Sequence, residues 1–431
     1  MLRKFVLLFG AQVVFGATLV INNLILSRIL GPTGRGMVAL LVAVPMVTWM
    51  LANLGFHVSA PYLIVRGEAP RNVVFGTTLV LAAMISAFLF AVAAALHGPV
   101  VRNLYQNLPL PAIILSIGSI PAVLLLYYFE PVWVAVDAMR ISVTAKLIQS
   151  VTYFGCVILL VAALRLGVVG GIAAFAIGAW TAAAFVIGAA IWLAPGPRFE
   201  SGVLKRGLAF GLKAYIGYCS DHVIYRADTF VLTYLSGFQQ LGYYAFAQPL
   251  AELIWYISNS MRPVLFARVA GEGEDSQSRT PAVVRLVLSS ASVVAFGIFA
   301  AAWLVVRWFL PAFHPALPAL AILLASTVIA VIFQLLLSDV TARGHAGSAS
   351  AVSLLVLPVA LLAYFVLIPR FGAIGAATGS LISYSLMSLL AIFWVKRLRG
   401  LTPADVLLPR RADYALVIAA VRRMLEEGRS A

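Results

Sequence analysis

The sequence predicts an all-α polytopic membrane protein, with about twelve transmembrane helices in two six-helix bundles. Three observations predict it. Of 431 residues, 63% are hydrophobic and only 10% charged, whereas a soluble domain carries about 25% charged residues. The apolar residues come in runs of roughly 20, the length a helix needs to cross a bilayer. The second half of the chain also repeats patterns of the first at a nearly fixed offset, as transporters built from two bundles do.

The first span follows the basic start MLRKFVLLFG. The apolar run outlasts a signal peptide and has no small-residue cleavage site, so it reads as a membrane helix. The spans fall at roughly 5–30, 36–65, 73–97, 110–135, 142–164, 170–194, 208–235, 240–267, 282–308, 316–340, 347–368 and 372–396. Pro45, Pro121, Pro249 and Pro358 lie inside spans and predict kinks, which membranes tolerate where neighbouring helices satisfy the freed backbone. The expected organisation is an N-terminal bundle over 1–195, a cytoplasmic linker over 196–207, a C-terminal bundle over 208–396 and a cytoplasmic tail over 397–431. The tail segment ADYALVIAAVRRMLEEG fits either an amphipathic helix on the membrane surface or a solvated helix.

Charge sets the orientation. Even-numbered connections hold Arg66, Arg71, Arg140, Lys146, Arg198, Lys205, Arg206, Arg268, Arg279 and Arg343; odd-numbered ones hold only Arg35, Arg102, Arg165, Arg307 and Arg370. The terminal Arg3, Lys4, Lys396, Arg397 and Arg399 join the richer side, which places both termini in the cytoplasm. The net charge of +15 is explained this way, and no nucleic-acid reader motif accompanies it. Cys156 and Cys219 fall in apolar runs and read as buried small apolar residues rather than a disulfide. Connections are short, so function is expected inside the membrane.

The repeat has two blocks. SRILGPTGRGMVA (27–39) aligns without a gap to TYLSGFQQLGYYA (233–245), matching Gly31 to Gly237, Gly36 to Gly242 and Ala39 to Ala245 at an offset of 206 residues; Asn22 then faces Asp228. RLGVVGGIAA (165–174) aligns to RFGAIGAATG (370–379) at an offset of 205, matching Arg165 to Arg370, Gly167 to Gly372 and Gly170 to Gly375. An offset spanning six helices makes the halves parallel, related by an axis along the membrane normal, with a cavity between them as the natural substrate site.

SRILGPTGRG before an apolar helix, and Asp228-x-x-x-Leu232 followed by LGYYAFA (241–247), resemble the polysaccharide transporters. These are oligosaccharide-lipid flippases of the multidrug/oligosaccharidyl-lipid/polysaccharide exporter superfamily. The likeness extends over all the predicted spans. It implies a V-shaped pair of bundles, like that of the multidrug exporters. It also implies transfer of a polyprenyl-pyrophosphate-linked oligosaccharide to the outer leaflet of the bacterial cytoplasmic membrane by alternating access, for surface polysaccharide biosynthesis. The partners expected are that lipid-linked oligosaccharide, the bilayer and a coupling proton or sodium ion, with a monomer sufficient. Relatives that flip the peptidoglycan precursor carry two further C-terminal spans, which hydropathy does not find here.

The stretch DHVIYRAD (221–228) is the most polar part of any span. An ionisable side chain at mid-membrane costs at least about 2.5–3.5 kcal/mol, so these residues face protein or water. At about 100° per residue, Tyr215, Tyr218, His222, Tyr225, Arg226, Thr229 and Thr233 form one stripe, flanked by Asp221 and Asp228 a heptad apart. As a cavity wall, Arg226 would bind the pyrophosphate and Tyr218 and Tyr225 would stack on sugars. Asp221, Asp228 and His222 would bind a coupling ion. As a structural element, Arg226 would pair with Asp221 or Asp228 and hold helices together. Further candidates are Arg28, Asn22 and Arg262 for substrate, with His57 and Lys213 beside Arg262 on the cytoplasmic side, Glu252 for coupling, and Asn23 and Glu130 as polar positions in spans one and four. Asp137 with Arg140, and Asp339 with Arg343, read as loop pairs.

No GxSxG, HExxH, Walker loop or Cys/His cluster occurs, so neither catalytic residues nor a metal or other cofactor is expected. Two alternatives stay open: a drug/cation antiporter of the same fold, and a membrane-embedded polysaccharide polymerase or ligase. An anionic headgroup requires net positive charge in the cavity; a cationic drug requires the opposite.

Overall fold

The computed structural model describes residues 2–95, 108–271, 280–408, 410 and 413. Eight of its helical segments are long and apolar enough to cross a membrane. Two of these, Phe15–Ala52 with 38 residues and Ser350–Arg399 with 50, exceed the roughly 20 residues that one crossing needs. Each belongs to a longer helix folded back at a glycine. The helix Leu2–Ala52 bends at Gly31 and the helix Ala346–Arg399 bends at Gly372. A third helix, Ser201–Glu252, bends at Gly237 and carries the charged stripe. With the interrupted helices counted once and the three bent helices twice, the described residues form twelve helical spans. Spans one and two cover 2–30 and 32–65, three to six cover 71–95, 110–135, 139–163 and 167–193, and seven and eight cover 201–236 and 238–271. Spans nine to twelve cover 280–308, 316–342, 346–371 and 373–399.

The repeat appears in the backbone. Gly31 has φ 65° and ψ −178°, and its counterpart Gly237 has φ 78° and ψ 178°. Positive φ with extended ψ is open to glycine and closed to residues with a Cβ. One residue thus turns the chain from span one to two and again from seven to eight. Gly167 and Gly372, the second matched pair, have φ 61° and 54°.

The sharp turns within these long helices fall at glycines rather than at the four prolines. Pro45 and Pro358 sit inside continuous helix. Pro121 lies in the first turn of the helix Ile120–Ala135, which restarts after Ser119. Pro249 precedes a break at 253–254. In span two the helix breaks at 53–55, where Asn53 bonds the carbonyls of Trp49 and Met50 through its side-chain amide.

Within the first half, Leu2–Ala52 packs on Met139–Cys156 and Gly167–Leu193, and Phe56–Val65 packs on Ile120–Ala135. In the second half, Ala316–Ala342 and Ala346–Arg399 pack on each other and on Ser201–Glu252. The halves meet mainly where Leu2–Ala52 runs along Ser201–Glu252. Lipid supplies no hydrophobic force between helices, so close packing of shape and small residues carries the association. Large apolar side chains such as Phe88, Phe296 and Leu389 face outward.

Several expectations change. The stretch assigned to a linker holds the start of span seven at Ser201 and is tied to span three, where the Arg198 amide donates to the Asn72 carbonyl at 3.1 Å. Asp339 does pair with Arg343, at the end of a helix rather than in a loop. It is fully buried, accepts from Thr280 at 2.7 Å and meets Arg343 at 3.3 Å and Arg399 at 3.6 Å, tying spans nine, ten and twelve together. Glu130 pairs with Lys146. Cys156 and Cys219 are free and partly buried. The tail segment singled out above lies outside the described residues except Asp413.

Candidate substrate cavity between the two halves

A cavity of ≈ 350 Å³ lies where spans one and two face spans seven and eight, with spans four, five and six contributing to its wall. Three charged side chains line it: Arg35, Arg226 and Glu252. Arg226 meets Glu252 in a two-point pair, Nη1 to Oε1 at 3.1 Å and Nη2 to Oε2 at 3.4 Å. The partners are 26 residues apart, on spans that run side by side only because Gly237 turns the chain. Neither Asp221 nor Asp228 is the partner of Arg226, contrary to the pairing expected from one helix.

Arg35 is the charge whose place the sequence misassigns. Counted as a loop residue, it is instead buried at 9% exposure. Its Nε donates to Asn23 Oδ1 at 3.0 Å and its Nη2 to the Ala245 carbonyl at 2.9 Å. The Asn23 amide donates in turn to the Phe246 carbonyl at 2.9 Å. The bonds to Ala245 and Phe246 cross from the first half to the second, and no carboxylate pairs with Arg35 among the described residues. A signal for it existed: the repeat sets Arg35 opposite Leu241, and both line the cavity. Gln149, Tyr153 and Gln248 also line it, and no sequence pattern marked them.

Contacts between halves flank the cavity at both ends. At the Gly31 end they are reciprocal. A Cβ on Gly36 would overlap the carbonyl of Phe238, and a Cβ on Gly242 would overlap the carbonyl of Pro32. Gly36 and Gly242 are repeat mates, as are Pro32 and Phe238, so the pseudo-two-fold axis passes between them. At the opposite end Gly55 and Gly211 abut through backbone atoms. Tyr62 stacks on Phe210 at 4.4 Å between ring centroids, and Tyr215 donates to the Leu51 carbonyl.

Of the candidate residues, Asn22, Asn23, Arg226 and Glu252 line the cavity, and the Lys213 side chain is outside what the structure describes. The others lie elsewhere. Tyr218 packs between His57, at 4.5 Å, and His222, at 4.0 Å, in the contact at the Gly55 end. His222 Nδ1 lies 2.8 Å from the Tyr218 carbonyl. Tyr225 packs on Trp255 and Tyr384 inside the second half. Asp221 accepts from Ser353 on span eleven. Asp228 is 1% exposed and accepts from Tyr244 and from the Thr229 amide and hydroxyl. Arg28 donates to the Phe309 carbonyl at 2.6 Å, and Arg262 lines a separate shallow groove with Asn259, Phe266 and Ser338. Span seven is polar on two faces because both are buried in protein, one against the cavity and one against spans eleven and twelve. A single stripe on a helical wheel merges them.

Residues 25–314 match the family described as polysaccharide biosynthesis protein. The chain belongs to this family. The match runs from span one past span nine, through both helices that carry the cavity's charges. No curated protein matches the sequence. Among solved structures, the fold is similar to a lipid II flippase MurJ in an inward closed conformation, with TM-score 0.78 and 12% identity over 91% of this chain and 87% of that one. It is also similar to a multidrug resistance MATE family transporter of the MOP superfamily in an inward-facing conformation, with TM-score 0.69 and 15% identity over 89% and 95%. The outward-facing conformation gives 0.59 at 15% identity over 92% and 95%. This polysaccharide biosynthesis family member is therefore an all-α polytopic membrane protein with the fold shared by those transporters.

Proposed function

We propose that the chain is a flippase that moves a polyprenyl-pyrophosphate-linked oligosaccharide from the inner to the outer leaflet of the bacterial cytoplasmic membrane by alternating access. The observation that carries this reading is the charge of the cavity, two arginines against one glutamate. A diphosphate suits that balance; a cationic drug does not. A guanidinium keeps its charge when desolvated and binds phosphate oxygens in two-point fashion. Family membership and the fold's likeness to a lipid II flippase support the same reading.

In this reading the substrate diphosphate competes with Glu252 for Arg226, while Arg35 holds the opposite wall. Protonation or cation binding at Glu252 would release Arg226 for substrate, which gives coupling a physical route. Asp228, Asp221 and His222 lie behind the wall, and their coupling role would act through span seven. The contacts at the Gly31 and Gly55 ends would open in turn as the bundles, 1–195 and 208–396, rock against each other. Both termini would lie in the cytoplasm, and one copy would suffice.

Deletion of the gene followed by analysis of membrane lipids tests the function. Accumulation of a complete lipid-linked oligosaccharide with loss of surface glycan is expected. Unchanged glycan with new sensitivity to cationic drugs would move the chain to the antiporter reading.

A further inference from the structure

Among the described residues that line the cavity, Asn22 alone has fully buried side-chain polar atoms without a hydrogen-bond partner. It is 2% exposed and lines the cavity, yet neither its Oδ1 nor its Nδ2 has a hydrogen-bond partner among the described residues. Its neighbour Asn23 is satisfied through both amide atoms. Leaving a buried carboxamide unpaired is costly, and native structures rarely do so without a functional reason.

The repeat explains how the amide came to be free. Asn22 corresponds to Asp228, and the residue opposite each is Val38 in the first half and Tyr244 in the second. Tyr244 donates to Asp228. Val38, fully packed at 1% exposure, offers no hydrogen bond. One half closes its polar site internally, and the other leaves a sealed, unpaired donor and acceptor in a residue that lines the cavity, so that substrate would meet them once the wall opens. Arg35, on the same wall, bonds Asn23 and so fixes the backbone that presents Asn22.

We infer that Asn22 is a specificity-determining contact that reads a pair of adjacent sugar hydroxyls on the substrate. A vicinal diol presents one O–H donor and one hydroxyl acceptor at a spacing that a carboxamide meets with its C=O and N–H₂ together. A trans acetamido group does not fit as well, because its N–H and C=O point in opposite directions. The assignment rests on the flippase reading, since it takes the diphosphate to be held by the arginines and the first sugar to reach Asn22.

The test is binding of defined probes to the purified full chain in nanodiscs: undecaprenyl diphosphate alone, the same lipid carrying glucose, and its singly 2-, 3- and 4-deoxygenated analogues. The wild type should bind the glucose form about tenfold tighter than the sugar-free lipid and lose that gain with at least one deoxy analogue. Asn22→Leu, which is of similar size, should bind the sugar-free lipid as the wild type does and lose the gain from glucose. Its thermal stability should hold or rise, because the substitution removes an unsatisfied buried amide; a merely structural amide would give a fall. Asn22→Gln checks the result without removing the carboxamide and should keep part of the gain. Equal binding of the glucose and sugar-free lipids by the wild type, or a gain preserved in Asn22→Leu, overturns the assignment alone. Failure of the wild type to bind any of the diphosphate lipids overturns the flippase reading and this assignment with it.

Discussion

The two halves share a backbone and differ in what they bury. At the matched positions, the second half places Asp228, Tyr244 and Leu241; the first places Asn22, Val38 and Arg35. Asp228 is enclosed by Tyr244 and Thr229, and Tyr244 reaches on to Ser380 at 3.5 Å, within a cluster where Tyr364 donates to the Ile224 carbonyl at 2.9 Å. Among the described residues the first half has no such closed cluster at the matched positions: Arg35 reaches across to the other half's carbonyl, and Asn22 is unpartnered. The repeat supplies the frame, and the difference at three positions separates a self-contained acid site from one that lines the cavity.

The reciprocal glycine contact tests the frame most severely. Gly36→Val and Gly242→Val each push a side chain into a carbonyl of the other half, where overpacking costs about 1–3 kcal/mol. Either should shift the closed contact at the Gly31 end by about 5–150-fold towards open, read as a longer distance between spin labels on the two turns. Because the contact is symmetric, the two variants should match; a large difference between them breaks the comparison.

The ion pair comes next. Arg226→Gln leaves Glu252 unpaired and should lower membrane abundance, by less than the roughly 3–5 kcal/mol that breaking a fully buried pair costs, because the two side chains are 29% and 26% exposed. Arg226→Gln with Glu252→Gln should restore abundance and leave transport at least about tenfold down. Transport restored along with abundance would make the pair a helix brace and nothing more.

Asp228→Asn sharpens the contrast between the halves. It keeps an acceptor for Tyr244 while removing the charge, so flipping should slow more than abundance falls. Equal losses in the two measurements would assign Asp228 to structure alone.

The smallest effect concerns the tail. Arg285 on span nine donates to both carboxylate oxygens of Asp413 at 2.7 Å, and Asp413 is 3% exposed. Those hydrogen bonds hold the Asp413 carboxyl below its ordinary range. A depressed carboxylate contributes stability that is present above its unfolded pKa of about 4 and is lost as pH falls through the folded value. Proteolysis of the tail should therefore stay slow at neutral pH and accelerate only below about pH 4. Arg285→Gln should make it fast at all pH values, with transport within about twofold of wild type.

How much of this the sequence carried depends on the kind of signal. Gly31 with Gly237, and Gly167 with Gly372, were legible because positive φ restricts the position to glycine and so preserves the repeat. Arg226 and Glu252 were legible as buried charges, but not as partners, because their contact depends on the turn at Gly237 rather than on one helix's periodicity. Arg35 was hidden by a counting rule: a charge next to a predicted turn is taken as a loop charge, and only the mismatch with Leu241 marked it. Tyr218 and Tyr225 fell on the stripe but face different packing environments, since span seven is enclosed on two sides.

The measurement that bears most directly on the account is ligand selectivity of the cavity itself. Binding of undecaprenyl diphosphate and of a rhodamine cation should be compared for the purified wild type and for Arg35→Gln with Arg226→Gln. The wild type should prefer the diphosphate, and the double variant should lose it by at least about a hundredfold, two charge-assisted contacts at about 1.5–3 kcal/mol each. A wild type that takes the cation and ignores the diphosphate would contradict the flippase reading.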